Sequence, residues 1–286
     1  MRTFVQRYLG LGVALALMIF FLRNVDFVGV VDAIGAARPG MIVLALFVLT
    51  LGYAIRAIRW RYLLSPLGQV SLGIALRSTM IGFAVNAILP GRVGELLRPY
   101  LLARQERLSA SAVVATVLVE RVLDLVAILV LFGLSVVIFD PGFVGANESI
   151  IAGISTGASV AAGVAVLMLG FASIAASWPT FMDRLMRGLV SPLPPRLSES
   201  VVQMTGRFLE GFAVMRRIRP LAFSIGWSIA LWVSIGLSLW LVTVAFDIEM
   251  PVVGAGVIVV LIAVGVAVPT PAGVGGYHAA YQLGVT

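Results

Sequence analysis

Most of the charged residues that could do chemistry in this chain fall into three short clusters. The first cluster follows an apolar run and consists of Arg56, Arg59 and Arg61 around Trp60. A planar guanidinium presents a fork of donors that matches phosphate, and all 20 basic residues of the chain are arginine. Two interpretations stay open here, a phosphate contact or the positive end of a membrane span beside an aromatic interface residue.

The second cluster surrounds a helix-breaking Pro-Gly and consists of Asn86, Arg92, Glu95 and Arg98. Glu95 and Arg98 are spaced i, i+3 and are expected to pair on one helix face. A helix that begins near Val93 would aim free backbone N–H groups at an anion. We therefore expect Arg92, just after the Pro-Gly, to be best placed to meet a phosphate. The alternative is an ordinary solvated turn.

The third cluster consists of Glu120, Arg121 and Asp124. Glu120 and Asp124 share a helix face at i, i+4, and Arg121 reaches Asp124 at i, i+3. Two acids with one arginine leave a negative charge, so we predict a partner from another cluster, such as Arg56, Arg59 or Arg92. The cluster is then either a packing ion network or a charge pair that opens to admit an anionic headgroup or a proton.

Catalytic chemistry has little support in these residues. Glu95, Glu120 and Asp124 are conceivable general acids or bases. However, the chain has no cysteine and a single histidine, His278. It also contains no nucleotide-binding G-x-x-x-x-G-K-[ST] loop. We expect no enzyme activity, no metal site and no cofactor, although a transferase acting on lipid-linked substrates stays an alternative.

The elements that position these clusters are membrane helices. The mean hydropathy is +1.08 and 12% of residues are charged, about half the charge of a soluble domain. Apolar runs of about 17–25 residues without strand alternation indicate an all-α polytopic transmembrane bundle, a single membrane domain over 1–286. The predicted spans are 8–22, 40–58, 122–139, 150–176, 221–246 and 252–268, with the start of a further helix at 277–286.

The placement of arginines sets the orientation. The 177–220 connection is rich in arginine, whereas the loops at 140–149 and 247–251 contain acids and no arginine. By the positive-inside rule the N-terminus is cytoplasmic. We expect the host membrane to be the plasma membrane. The net charge of +7 suits an anionic leaflet and requires no nucleic-acid partner.

One apolar segment cannot be a full span. Residue 61 is predicted inside and residue 140 outside, so a span at 72–89 would make the crossing count even. We therefore predict that 72–89 is re-entrant and that Arg92 and Arg107 are both cytoplasmic. An amphipathic interfacial helix is also predicted after Pro194-Pro195, with Ser198 as its cap.

Four patterns occur in a familiar order. They are RxxRW at 56–60, NxxLPGRxGExxRPY at 86–100, ERxxD at 120–124 and PxPAGxGGYH at 269–278. Together they resemble the flippase-like family, which includes the transmembrane region of lysylphosphatidylglycerol synthases and the UPF0104 proteins. The last pattern, with Pro271, Gly273 and Gly275, also echoes the PGRVGE stretch at 90–95 and suggests a second re-entrant element.

The resemblance implies a function in lipid movement. Members of the family would carry an anionic or aminoacylated phospholipid, or a polyprenyl-linked lipid, between leaflets. The arginines and acids of the three clusters, Asn86 and the glycines of the last pattern would line the polar path. A lipid-modifying synthase or glycosyltransferase is the expected partner. The other reading is an accessory subunit for such an enzyme.

Overall fold

The computed structural model describes residues 27–88, 92–138, 148–192 and 194–250, together with 252, 254–256, 258 and 259. Over these residues the chain folds into helices without a strand, which confirms the all-α class. The α-helices are α1 (Phe27–Ala36), α2 (Pro39–Leu64), α3 (Leu72–Ile88), α4 (Val93–Glu106), α5 (Ala110–Ile138), α6 (Glu148–Ser177), α7 (Pro179–Val190), α8 (Pro195–Glu210) and α9 (Ile218–Ala245). A 3-10 helix, Gly211–Arg216, joins α8 to α9.

Several predicted features lie outside the described residues. They are the span at 8–22, most of the span at 252–268, the Pro90-Gly91 turn, the 269–278 pattern with Pro271, Gly273, Gly275 and His278, and the helix start at 277–286.

The central pair of helices is α2 and α9, which run antiparallel along their length. At one end the Arg38 backbone N–H donates to the Ala245 carbonyl oxygen at 2.9 Å. At the other end the rings of Tyr62 and Phe223 stack with centroids 5.1 Å apart. Among the described residues these two helices are long and apolar enough to cross a membrane, and the bent pair α6–α7 would add a third span. The count of six spans stays a prediction.

Helices α3 and α4 form an antiparallel hairpin that enters the bundle and returns. At its open end the Ser71 N–H donates to Glu106 Oε1 at 2.9 Å, and near its tip the Gly94 N–H donates to Asn86 Oδ1 at 2.8 Å. The 17 residues of α3 extend about 25 Å, whereas the 26 residues of α2 extend about 39 Å. The hairpin is therefore shorter than α2, and its re-entry into the membrane stays a prediction.

The second helix of this hairpin concerns one prediction. Arg92 and Arg107, both predicted to be cytoplasmic, flank opposite ends of α4, and their side of the membrane stays a prediction. The 14 residues of α4 separate them by roughly 21 Å. Helix α3 therefore runs towards the hairpin tip, where Arg92 lies, and α4 runs back beside it.

Two amphipathic helices follow the α5–α6 pair. The apolar part of α6 and helix α7 meet at a bend of 99° at Trp178, where Pro179 starts the new helix. Helix α8 is the predicted amphipathic helix, but Ser198 does not cap it. The helix begins at Pro195 with Pro194 in the N-cap position, because the fixed φ of proline suits the first helical turn.

The hydrophobic core lies where the end of α2 meets α3, α4, α5 and the 3-10 helix. Trp60, Leu63, Leu102, Val113 and Val214 are fully buried there. This core holds α2, α4 and α5 at fixed rotations, and those rotations decide which charged side chains meet.

Candidate functional site

Three helices bring charged side chains together in the interior of the bundle, and a fourth helix adds a hydroxyl. Arg59 comes from α2, Arg98 from α4, and Glu120 and Asp124 from α5, and all four are buried. Helix α9 contributes Ser228. We call this group, together with Arg56 and Arg121 at its edge, the arginine cluster.

Glu120 receives the largest share of the arginine contacts. Arg98 binds it through two parallel bonds, Nη1 to Oε1 at 3.0 Å and Nη2 to Oε2 at 3.1 Å. Arg59 Nη2 lies 2.9 Å from Oε1, and Arg121 Nη2 lies 3.4 Å from the same oxygen. The side chain of Glu120 is fully buried. Because an ionised carboxylate is costly to bury alone, these guanidinium groups are what keep Glu120 inside the bundle.

Asp124 joins α5 to both α2 and α9. Its carboxylate accepts hydrogen bonds from Arg59 Nη1 and, at 3.1 Å, from Trp232 Nε1. Arg59 Nη1 also donates to Ser228 Oγ at 2.9 Å. The prediction that Asp124 pairs with an arginine from another segment is confirmed, and that arginine is Arg59.

Aromatic rings support two of the arginines. The Arg98 guanidinium lies 3.8 Å from the centroid of the Trp60 ring, whose Nε1 donates to Thr116 Oγ1 at 3.1 Å. The Arg56 guanidinium lies 4.9 Å from the centroid of Phe83 on the hairpin. Trp60 therefore orients Arg98 between α2 and α5, and it is more than an aromatic residue at the membrane interface.

The expected pairing within α4 is wrong. Arg98 binds Glu120, and Glu95 instead lies 3.7 Å from Arg92. The reason is the contact between α3 and α4, in which a Cβ on Gly82 would lie 2.9 Å from Arg98 Cβ. This contact turns Arg98 into the interior, while Glu95 stays on the partly exposed side.

Arg59 and Arg98 from other helices compensate the negative surplus expected for Glu120, Arg121 and Asp124. With the partly exposed Arg121 and the half-buried Arg56, the cluster has an excess of positive charge at its edge. Among the described residues no carboxylate oxygen lies within 4.0 Å of the Arg56 guanidinium. Arg92 and Glu95 at the hairpin tip carry opposite charges, so they do not change the net charge of this region.

Several buried donors of this region have no hydrogen-bond partner within the described part of the chain. Three are guanidinium nitrogens, the Nε atoms of Arg59, Arg98 and Arg121. Two hydroxyls on the buried face of α3, those of Ser78 and Thr79, likewise have no hydrogen-bond partner among the described residues. Buried donors usually bind an acceptor, so these donors are available to a polar ligand.

The hairpin tip is built by close packing. A Cβ on Gly94 would lie 2.0 Å from the Gly82 carbonyl oxygen, so only glycine fits at this contact. The amide oxygen of Asn86 accepts from the Gly94 N–H, and this bond closes the tip. Arg92 adopts a left-handed conformation with φ of 55° directly before α4. Asn86 thus has a structural contact at a position predicted to bind substrate.

A second feature lies away from the arginine cluster. A cavity of about 700 Å³ is bounded by α7, α8 and the ends of α2 and α6, and Arg184, Glu210 and Arg216 are among its lining residues. Its lining includes no residue of the arginine cluster. We consider the cluster the better candidate site, because the cavity is bordered by exposed charges, whereas the cluster holds buried charges whose cost demands an explanation.

Sequence reasoning missed the contribution of α9 and Thr116. Ser228 and Trp232 lie inside an apolar run, where serine and tryptophan are common and do not indicate a functional site. A usable signal exists, since Ser224 and Ser228 are both buried and spaced i, i+4. Together they mark a polar stripe on α9 that faces the interior. Pro271, Gly273 and Gly275 lie outside the described residues.

Known proteins match this chain over most of its length. A family of sequences described as the lysylphosphatidylglycerol synthase TM region matches residues 7–286. A curated relative, glycosyltransferase AglD of Haloferax volcanii, is 28% identical over 297 residues, covering 94% of this chain and 46% of the relative. The chain thus spans about half the length of the curated relative it matches. No solved structure matches it.

Proposed function

Because the chain belongs to the membrane protein family of the lysylphosphatidylglycerol synthase TM region, we propose that it moves a lipid with an anionic headgroup between leaflets. The cargo is an anionic or aminoacylated phospholipid or a polyprenyl-linked lipid. The host membrane is the plasma membrane, with the N-terminus in the cytoplasm. The chain itself carries out no catalytic step.

The positive surplus of the arginine cluster is the observation that carries this proposal. Buried charges are tolerated when opposite charges and hydrogen bonds compensate them. Here Arg59 and Arg98 balance the two buried carboxylates, and the half-buried Arg56 and partly exposed Arg121 add two positive charges at the edge. Three Nε donors also lack acceptors among the described residues. A headgroup phosphate would supply both the missing negative charge and the missing acceptor oxygens.

Access to the cluster is available from one side. The side chain of Arg121 is 40% exposed, and Arg92 and Glu95 at the hairpin tip are 43% and 33% exposed. A headgroup that arrives here meets Arg92 and Arg121 first and Arg98 and Arg59 last. The acyl chains stay in the lipid beside the hairpin, so only the polar part of the cargo enters the protein.

The arrangement also supports release of the headgroup. Arg98 keeps its bidentate contact with Glu120 whether or not a phosphate is bound. The bound lipid therefore leaves without exposing an uncompensated arginine to the membrane interior.

A second function is favoured by the name of the relative. Glycosyltransferase AglD is an enzyme by name, so this chain would then serve as the membrane subunit that presents a lipid-linked substrate to a synthase or glycosyltransferase partner. Acid–base catalysis by the chain's own carboxylates is disfavoured, since Glu120 and Asp124 are both held by arginines.

The test is a leaflet-resolved lipid assay in proteoliposomes that contain only this protein. We expect the protein to accelerate the movement of a fluorescent anionic lipid over protein-free vesicles, and Arg121→Gln to reduce that rate. Arg104→Gln, on the exposed side of α4, is the matched control and should retain it. Binding of the lipid without movement would favour the accessory function, and an equal rate with and without protein would contradict transport.

A further inference from the structure

Helix α7, together with the residue before it, exposes a row of large apolar side chains away from the arginine cluster. The four are Trp178, Phe181, Leu185 and Leu189, with exposed fractions between 44% and 62%. Spacings of three and four residues place them on one face of the helix, and we call this face the α7 stripe. A continuous exposed apolar row of this kind marks an interaction surface.

The other two sides of α7 already have their surroundings. Met182 and Val190 are buried, because α7 packs against α8, which in turn packs against α5. The third side carries Arg184 and Arg187, which are both exposed, and Arg187 Nε lies 2.8 Å from an oxygen of Asp183. The α7 stripe therefore faces away from the bundle and lies beside a basic side of the same helix.

The direction of α7 places the stripe at a membrane surface. The segment 150–176 is a predicted span, and α7 bends away from the apolar part of α6 by 99°. The 12 residues of α7 extend about 18 Å, which is too short to cross a hydrocarbon layer of about 30 Å. A short helix at nearly a right angle to a span runs along the membrane surface.

The charge of the surrounding segment indicates the kind of surface. Residues 179–219 carry seven arginines and three carboxylates. An anionic leaflet attracts a basic segment that lies beside a span. A leaflet also offers phosphates and acyl chains at adjacent depths, which matches a helix with a basic side next to an apolar one. An acidic protein surface would match the arginines and leave the α7 stripe in water.

We infer that α7 binds the surface of an anionic leaflet, with the α7 stripe among the acyl chains and Arg184 and Arg187 at the lipid phosphates. The residues of this contact are separate from the arginine cluster. The contact therefore does not depend on which lipid the protein moves.

Nitroxide labels on single cysteines test the depth of α7, because the chain has no cysteine of its own. Leu185→Cys and Leu189→Cys report on the α7 stripe, and Arg187→Cys, on the opposite side of the helix, is the matched control. The labelled chain is reconstituted into vesicles of phosphatidylglycerol and phosphatidylcholine. We expect oxygen, which partitions into lipid, to collide with the stripe labels more often than a water-soluble nickel chelate does. The order should be reversed for the label at 187.

Thermal unfolding verifies that the labelled variants are folded, and Phe181→Cys replaces a stripe variant that is not. In phosphatidylcholine alone the stripe labels should lie less deep, because the arginines lose their anionic partner. Equal depth in the two kinds of vesicle, or stripe labels as accessible to the chelate as the label at 187, would overturn the inference. Protection that disappears when the protein is diluted in lipid would assign the stripe to a second copy and would also overturn it.

Discussion

Glu120→Gln removes one buried negative charge and keeps the shape of the side chain. In the native protein Glu120 accepts two bonds from Arg98, at 3.0 and 3.1 Å, and lies 2.9 Å from Arg59. After the substitution four arginines face Asp124 alone. Arg98→Met changes the net charge of the arginine cluster in the opposite direction, because it removes one positive charge while Glu120 keeps Arg59 as its partner.

The magnitudes follow from these contacts. Removing one member of a buried ion pair costs about 3–5 kcal/mol of unfolding free energy, and Glu120→Gln should lie at the upper end because it enlarges the imbalance. Arg98→Met loses its bonds to Glu120 and its contact with Trp60 at 3.8 Å, which is worth roughly 0.5–2 kcal/mol. Because it reduces the surplus charge, we expect a total of only about 1–3 kcal/mol.

Thermal unfolding of the purified variants in one detergent measures the difference. With about 2–4 °C for each kcal/mol, Glu120→Gln should lower Tm by roughly 6–20 °C. Arg98→Met should lower it clearly less, and Arg104→Gln on the exposed side of α4 should change it little. If Arg98→Met is as destabilised as Glu120→Gln or more so, the positive surplus is not the governing feature of the site and the reasoning is refuted.

Three further predictions concern the hairpin. Gly94→Ala places a Cβ 2.0 Å from a backbone oxygen of α3 and should lower both Tm and the rate of lipid movement. Gly73→Ala on α3, where a Cβ would have nothing within 4 Å, should be tolerated. Equal Tm values for the two variants would contradict the close packing of Gly94 against Gly82. Arg92→Ala should abolish lipid movement with little change in Tm, because the exposed ion pair of Arg92 with Glu95 at 3.7 Å contributes about 0–1 kcal/mol to stability. Arg92→Lys should restore part of the rate. An unchanged rate in Arg92→Ala would show that Arg92 does not contact the lipid. Arg104→Cys, in a chain that has no other cysteine, should react with an impermeant thiol reagent from the cytoplasmic side, and labelling from outside would reverse the topology.

Sequence patterns identified which charged residues lie together better than how they pair. The excess of acid over base at 120–124 was enough to predict a partner for Asp124 from another helix. It did not identify Arg59, because that choice depends on the rotation of α2, which the packing of Trp60 and the core around it determines. The spacing of Glu95 and Arg98 allowed an ion pair that the contact between α3 and α4 prevents.

The hairpin of α3 and α4 also shows what the sequence predicts and what only the packing determines. Counting crossings from the arginine distribution indicated that 72–89 must return to the side from which it came. The count could not reveal that α4 is the return leg, since a loop and a second helix give the same number of crossings. That distinction depends on the approach of Gly94 to Gly82, a contact between residues whose side chains give no hydrophobic pattern.

The pair between Arg98 and Glu120 has a consequence for how the chain is made. The two residues are separated by 22 positions, so at synthesis rates of about 5–20 residues per second the arginine precedes its carboxylate by roughly 1–4 seconds. During that interval a hairpin inserted at its final depth would hold Arg98 without a counter-charge. Insertion of the hairpin should therefore wait for α5, and nascent chains stalled before Glu120 should leave Arg98→Cys open to a thiol reagent that no longer reacts once α5 is complete.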